Sequence, residues 1–232
     1  MLVKNHPLLK SISLLTNCSF VIFDHVTPKY AYVDESITKI NGFDKESFCL
    51  RGWEFFANEV VVPDYLDFAI NSHRIIFEYL YSLPLNLRNQ VIFSKDYLCY
   101  NSKGKIHRIL QKGMVLQSDA KGNIQLTLHL IENISHLKKL HSANLIITGP
   151  KEEHQLYFYN DNTDILTHYG NLSKREIGLL RLLALGMETK EIATKLNISP
   201  HTVDTHRRNI LSKLNCVDTT ALVSYSKMVH II

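Results

Sequence analysis

The stretch from Leu172 to Leu214, LSKREIGLLRLLALGMETKEIATKLNISPHTVDTHRRNILSKL, restricts the fold more than any other part of the chain. Ser173 and Glu176 form an S-x-x-E capping box, which satisfies free amide donors at a helix start. Ile177, Leu179, Leu180, Leu183 and Ala184 then recur at helical spacing. Gly186 is placed to end that helix in the left-handed conformation. Thr189 is expected to cap a short second helix with Ile192, Ala193 and Leu196 on its inner face. Asn197 and Ile198 make a turn. Ser199-Pro200 opens a third helix, because serine caps well and proline is tolerated at the first helical position. Three short helices joined this tightly read as a helix-turn-helix.

The third helix carries the functional reading. At about 100° per residue, Val203, Ile210, Leu211 and Leu214 gather on one side. His201, Asp204, Thr205, Arg208 and Ser212 gather on the other. The apolar side packs on the preceding helices. The polar side is free to meet a partner, and such a helix fits the major groove, where base edges are read. Arg208 is the candidate for a bidentate contact to guanine, with Asp204 and Thr205 as further base contacts. Thr189, Lys190, Ser199, Thr202, His206, Arg207 and Lys213 are candidate phosphate contacts that set the register.

Residues 172–232 resemble the four-helix DNA-binding domain of LuxR-type (NarL/FixJ-type) bacterial transcription regulators. The resemblance is carried by L-S-x-R-E at 172–176, G-x-x-x-K-E-I-A at 186–193, I-S-x-x-T-V at 198–203 and H-x-x-x-I-x-x-K-L at 206–214. It implies that the third helix enters the major groove and that a fourth, after Asp218, supports dimerisation. One position departs from the family. A lysine usually follows T-V, and here Asp204 stands there. An acidic side chain accepts from cytosine N4 but is repelled by phosphates. Either the preferred DNA sequence differs, or Asp204 is a solvated helix residue.

Charge agrees with this placement. The net charge is +4. Residues 171–232 hold nine Lys/Arg against five Asp/Glu, and the rest of the chain is balanced. The excess therefore sits where phosphates would be met.

Upstream the rhythm changes. Leu8, Leu9, Ile12 and Leu15 predict a lead helix within 1–16. Ser19–Asp24 and Lys29–Asp34 read as a hairpin around a turn at His25–Pro28. Glu35–Asn41 and Asp44–Phe48 are brief helical stretches. Pro63 opens a longer helix through Tyr79. Val91–Asn101, Lys105–Gln117 and Ile124–Ile131 are three strands separated by turn-forming residues. This order resembles a PAS sensor domain over 17–134, on F-V-I-F-D at 20–24, Y-V-D-E-S-I at 32–37 and N-G-F-D-K-E-S-F at 41–48. The resemblance implies an antiparallel sheet wrapped around helices, often with an apolar cavity. Phe20, Ile22, Ile40, Phe43, Phe48, Trp53, Phe56 and Phe68 are the residues expected to line one; plain core is the alternative.

No cofactor is evident, and a small-molecule ligand of the PAS-like domain stays open. Cys49 lies in S-F-C-L-R-G without the asparagine of the flavin-binding N-C-R-F motif, so a flavin adduct is not expected. Haem-binding PAS domains use a histidine on the long helix, so the resemblance makes His73 the one candidate haem ligand; a surface or satisfied core histidine is the alternative. The other cysteines, Cys18, Cys99 and Cys216, have no metal-ligand spacing. Over 132–170, Ile134, Leu137, Lys138, Leu140 and Leu145 predict a helix leaving the last strand, ended by Gly149-Pro150. Gln155–Tyr159 and Asp164–His168 predict a small hairpin.

The expected architecture is thus α+β. It comprises a lead helix (1–16), a PAS-like sheet with helices (17–134), a linker (135–170) and an all-α DNA-binding domain (171–232). The function expected is a DNA-binding transcription regulator under control of the PAS-like domain. The alternative is a protein-interaction adaptor with a vestigial DNA-binding module. Double-stranded DNA and a second copy of the chain are the expected partners, and RNA polymerase is a further candidate. No nucleophile–base pair, phosphate-binding glycine loop or paired acid motif is present, so an enzyme is not expected. No leader or membrane-length apolar run is present, so a cytoplasmic location is expected.

Overall fold

The computed structural model describes residues 18–138, 142–150, 154–160, 165–170 and 172–232. The expected lead helix (Leu8, Leu9, Ile12, Leu15) and Leu140 lie outside the described residues. Strands β1 (Ser19–Asp24) and β2 (Lys29–Val33) form an antiparallel hairpin. Three helices follow: α1 (Ile37–Asn41), α2 (Lys45–Phe55) and α3 (Leu66–Ser82). Asp44 caps α2 by accepting from Ser47 N at 2.7 Å. Gly42, at φ +79°, ends α1 in the left-handed region, where a Cβ would be strained. Then come β3 (Ile92–Tyr100), β4 (Ile106–Ser118) and β5 (Ile124–Asn133).

The sheet does not stop there. Strands β6 (Ala143–Thr148), β7 (His154–Asn160) and β8 (Ile165–Gly170) extend it to the order β2-β1-β5-β4-β3-β6-β7-β8. The helix expected beyond Ile134 is therefore corrected over 143–148. The segment Ala-Asn-Leu-Ile-Ile-Thr pairs antiparallel with β3, Asp96 opposite Asn144 and Ile92 opposite Thr148. Its first five residues are buried on both faces, and periodicity alone does not separate a short, fully buried strand from a buried helix. β7 and β8 are the expected hairpin, joined to the main sheet through β6.

Four helices complete the chain: α4 (Lys174–Ala184), α5 (Thr189–Leu196), α6 (Pro200–Leu214) and α7 (Thr219–Met228). They pack on one face of the sheet, because alternate strand residues point to opposite sides. Leu110 of β4, Ile146 of β6 and Leu156 of β7 share a core with Leu180, Ile192, Val203, Leu214 and Leu222. The opposite face, with Val21, Phe93, Tyr97 and Leu145, shares a second core with Phe55, Phe68 and Ile76 from the α1–α3 layer.

One polar cluster joins sheet and helices. Asp96 of β3 is fully buried and accepts from Arg108 (2.7 Å) and from the Tyr225 hydroxyl of α7 (2.6 Å). Lys138 Nζ lies 3.3 Å from the same carboxylate and 4.1 Å from the Tyr225 ring centroid. Lys138 also donates to the Leu214 carbonyl at the end of α6 and, at 3.1 Å, to Asn144. Asn144 in turn donates to the Lys213 carbonyl at 3.2 Å.

Candidate nucleic-acid interface and candidate ligand cavity

The α4–α7 module is punctuated by local chemistry. Glu176 accepts from Ser173 N at 2.8 Å and Ser173 Oγ accepts from Glu176 N at 3.2 Å, closing the expected capping box. Glu188, not Thr189, occupies the cap of α5, and its amide donates to Glu191 at 2.7 Å. The Thr189 hydroxyl is engaged elsewhere, accepting from Arg207 at 2.7 Å. Asn197 and Asn215 end α5 and α6 with φ of +52° and +51°, a region that asparagine tolerates better than most side chains.

Val203, Ile210 and Leu214 of α6 are buried, while His201, Asp204, Arg208, Asn209 and Ser212 are exposed. Arg208 reaches outward, 3.5 Å from the Thr205 hydroxyl, which itself donates to the His201 carbonyl at 3.0 Å. Lys190 and Ser199 are exposed, and Thr202 and His206 half-buried, along the same side of the α5–α6 turn. Two candidates are held inside the module. Arg207 bridges Thr189 and Asp204, lying 3.5 Å from the latter's carboxylate. Lys213 donates to Glu176 at 2.7 Å and so ties α6 to the start of α4. That ion pair, the Ser173 bonds and Lys213's charge together hold the Glu176 carboxyl below the usual range against the opposing effect of burial. The apolar stripe of α7 is taken up within the chain: Ala221, Leu222, Tyr225 and Val229 are all buried.

The second site lies between the sheet and the α1–α3 layer. It is a cavity of about 510 Å³. Its size falls within the roughly 300–1,000 Å³ of small-molecule sites. Phe48, Trp53 and Phe56 stand on its wall. Phe20, Ile22, Ile40, Phe43 and Phe68 do not line it, which corrects that expectation. In β1 the wall residues are Val21 and Phe23, so Phe20 and Ile22 point to the other face. Phe68 packs its ring on Tyr159, centroids 5.3 Å apart, and Phe43 packs on Phe55 at 5.2 Å. Ile40 is half-buried against the same core.

The sheet contributes wall residues that the sequence reading did not single out. β3 presents Phe93, Lys95, Tyr97 and Cys99; β4 presents Ile109 and Gln111; β5 presents Thr127, His129 and Ile131. Cross-strand register links the polar ones into a chain. The Tyr97 hydroxyl donates to Gln111 at 2.6 Å, and the Gln111 amide meets His129 Nδ1 at 3.0 Å. His129 Nε2 lies 2.8 Å from Thr127, which lies 2.8 Å from His25 Nε2. One consistent assignment has each group donating to the next, from Tyr97 through to His25. Burial holds His25 and His73 down to about 4 and His129 well below the usual imidazole value, so all three are neutral near pH 7. His73, the candidate haem ligand, is stacked on Phe77 with centroids 4.3 Å apart. Cys49 is exposed and is not on the wall.

Gly113 sits between these groups. A Cβ there would overlap the Phe93 ring edge and fall 2.7 Å from His129 Nδ1. Gly113→Ala is therefore expected to push both rings into the cavity and lower stability by about 1–3 kcal/mol. The urea unfolding midpoint reads this, and an unchanged midpoint would show that the rings are not confined.

Residues 170–226 match the family described as "Bacterial regulatory proteins, luxR family". The C-terminal domain belongs to the luxR family. The chain is 43% identical over 61 residues to the Fimbriae Z protein of Escherichia coli (strain K12), covering 26% of this chain and 29% of that protein. It is 47% identical over 55 residues to the oxygen regulatory protein NreC of Staphylococcus carnosus, covering 24% and 25%. It is 44% identical over 62 residues to the transcriptional regulatory protein LiaR of Bacillus subtilis (strain 168), covering 27% and 29%. The match thus spans less than a third of each of these relatives. Among solved structures, a VqmA dimer of Vibrio cholerae without target DNA aligns over 96% of this chain and 88% of that one, at 17% identity and TM-score 0.38. A fungal LOV domain photoreceptor aligns over 51% and 74%, at 15% identity and TM-score 0.37. No helix among the described residues is long and apolar enough to cross a membrane.

Proposed function

We propose that the chain is a sequence-specific transcription regulator whose PAS-like sheet domain holds a small ligand and thereby sets the posture of the luxR-family helices. The observation that carries this reading is the adjacency of Lys95 and Asp96 on β3. Lys95 faces the cavity, and Asp96, one residue on and therefore on the opposite face, holds Tyr225 of α7. A ligand that shifts β3 by a fraction of an ångström acts on the carboxylate that fixes the helices. Both ends of the coupling are a single residue apart, so no long pathway is required.

On the DNA side, Arg208 reads a base edge from the exposed side of α6, with Asp204 and Thr205 beside it. Lys190, Ser199, Thr202 and His206 contact phosphates. Arg207, Thr189 and Lys213 hold that surface together from within. Two copies reading half-sites about one helical turn apart form the working state, and contact with RNA polymerase belongs to the same proposal.

Selection from a random DNA library, followed by anisotropy titrations at several salt concentrations, tests this. Arg208→Ala should relax preference at one base by about 1–3 kcal/mol. Lys190→Ala should weaken all sites evenly and reduce the salt slope by about one. Equal losses on selected and random DNA for both variants would exclude base reading by Arg208. Salt-insensitive or absent DNA binding would overturn the regulator reading itself.

A further inference from the structure

Among the described residues, Lys95 is the only side chain on the cavity wall that carries a formal charge, and no aspartate or glutamate is there. The residue is 7% exposed. Among the described residues, no carboxylate and no hydrogen-bond acceptor reaches its Nζ. Its ammonium lies 5.5 Å from the centroid of the Tyr97 ring. The polar side chains around it bond to one another, in the run from Tyr97 to His25, and leave the ammonium out. A buried ammonium without a counter-charge is costly, and a partner that brings one removes the penalty.

The remaining wall describes the partner's body. It is apolar, with the rings of Phe23, Phe48, Trp53, Phe56, Phe77 and Phe93 beside aliphatic side chains such as Ile37 and Ile109 around the polar patch. Flat apolar groups are favoured there by edge and face contacts between rings. Lys95 supplies one positive charge and the neighbouring histidines none, so a dianion would bury a charge unmatched. A neutral ligand would leave Lys95 unmatched.

We propose that this cavity binds a small organic monoanion, an aryl or arylalkyl carboxylate, with its carboxylate on Lys95 and its ring among the phenylalanines. The assignment rests on the reading of the sheet domain as a sensor and gives that sensor its ligand class. Lys95 is the specificity-determining residue: it selects the charged acid over its uncharged analogues.

The test uses the full chain, with thermal shift and isothermal calorimetry. The probes are 3-phenylpropanoate and indole-3-acetate at up to millimolar concentration, their primary amides, and phenylsuccinate as a dianion. At least one monocarboxylate should raise the Tm and bind, while the amides and phenylsuccinate bind more weakly. Lys95→Met should weaken acid binding about 10- to 100-fold. Lys95→Arg, which keeps the charge, should lose less. Both variants are first shown to unfold cooperatively. Equal protection by acids and amides, unchanged acid binding by Lys95→Met, or no protection by either acid would each overturn the assignment. Acid binding that leaves DNA affinity untouched would support the assignment and overturn the control reading. Control of DNA binding by a compound that Lys95→Met binds equally well would do the reverse.

Discussion

Asp96→Ala is expected to lower the unfolding free energy by about 3–5 kcal/mol. Among the described residues, the carboxylate is the sole anion in a cluster with two cations, and the side chains of Asp96, Arg108 and Lys138 are at most 1% exposed. Removing it leaves Arg108 and Lys138 buried together as like charges, and takes the acceptor from the Tyr225 hydroxyl. Arg108 is already under-satisfied, since its Nε and Nη2 have no hydrogen-bond partner among the described residues. Tyr225→Phe makes the sharper comparison. It removes one hydrogen bond to a charged acceptor and leaves the ions in place, so a loss of about 1.5–3 kcal/mol is expected. Urea unfolding of the three proteins reads both. A loss for Asp96→Ala no greater than that for Tyr225→Phe would mean that Asp96 does not neutralise the cluster.

This cluster also shows where sequence reading stops. Lys95 and Asp96 are neighbours in a strand, and opposite charges side by side look like a solvated edge. They are buried because the sheet is covered on both faces, and strand alternation sends them apart. β1 gave the same difficulty in apolar form. Ser19–Asp24 is apolar on both faces, so nothing in its composition sets the phase, and a one-residue change of phase exchanges Phe20 and Ile22 for Val21 and Phe23. Only β5 carried a signal for the cavity face, in Thr127 and His129 two positions apart; in β3 the polar run Ser94, Lys95 and Asp96 falls on both faces. In β6 the apolar spacing fitted a helix as well as a buried strand, and only pairing with β3 decides.

The luxR-family domain was legible for the opposite reason. Its helices are set by local chemistry, such as the Ser173–Glu176 box, the Ser199-Pro200 start and the left-handed Asn197, none of which needs a distant partner. What remained hidden there were side-chain commitments between helices. Arg207 and Lys213 look like free cations in the sequence, yet one is bound to Thr189 and the other to Glu176. Such pairings depend on how α4, α5 and α6 cross, which no spacing within one helix reports.

Lys95→Met is expected to stabilise the ligand-free chain near neutral pH and to change how stability responds to alkali. Burial lowers the Lys95 ammonium from its ordinary 10.5 to about 8, with nearby Cys99 opposing the shift only in part. Between those values the unfolded chain holds a proton that the folded chain has lost, so this lysine makes stability rise with pH. Below about pH 8 its penalty is fully present, and by about pH 10.5 it is relieved. A depression of this size corresponds to about 3 kcal/mol at most. The other titratable groups on the wall around Lys95 are His25, His73, His129, Tyr30, Tyr97 and Cys99. The imidazoles are neutral throughout this window. Tyr30, Tyr97 and Cys99, all raised by burial, act in the opposite sense, because the unfolded chain ionises them first. Cys18 and Cys216, each raised to about 11 chiefly by burial, add to that opposing trend. The absolute pH curve therefore mixes several groups, and the difference between wild type and Lys95→Met isolates the lysine. That difference should be largest near pH 7 and shrink towards pH 10. Parallel curves, or a less stable Lys95→Met at pH 7, would show that the ammonium already has a partner and that the cavity lacks the unmet charge on which its anion selectivity depends.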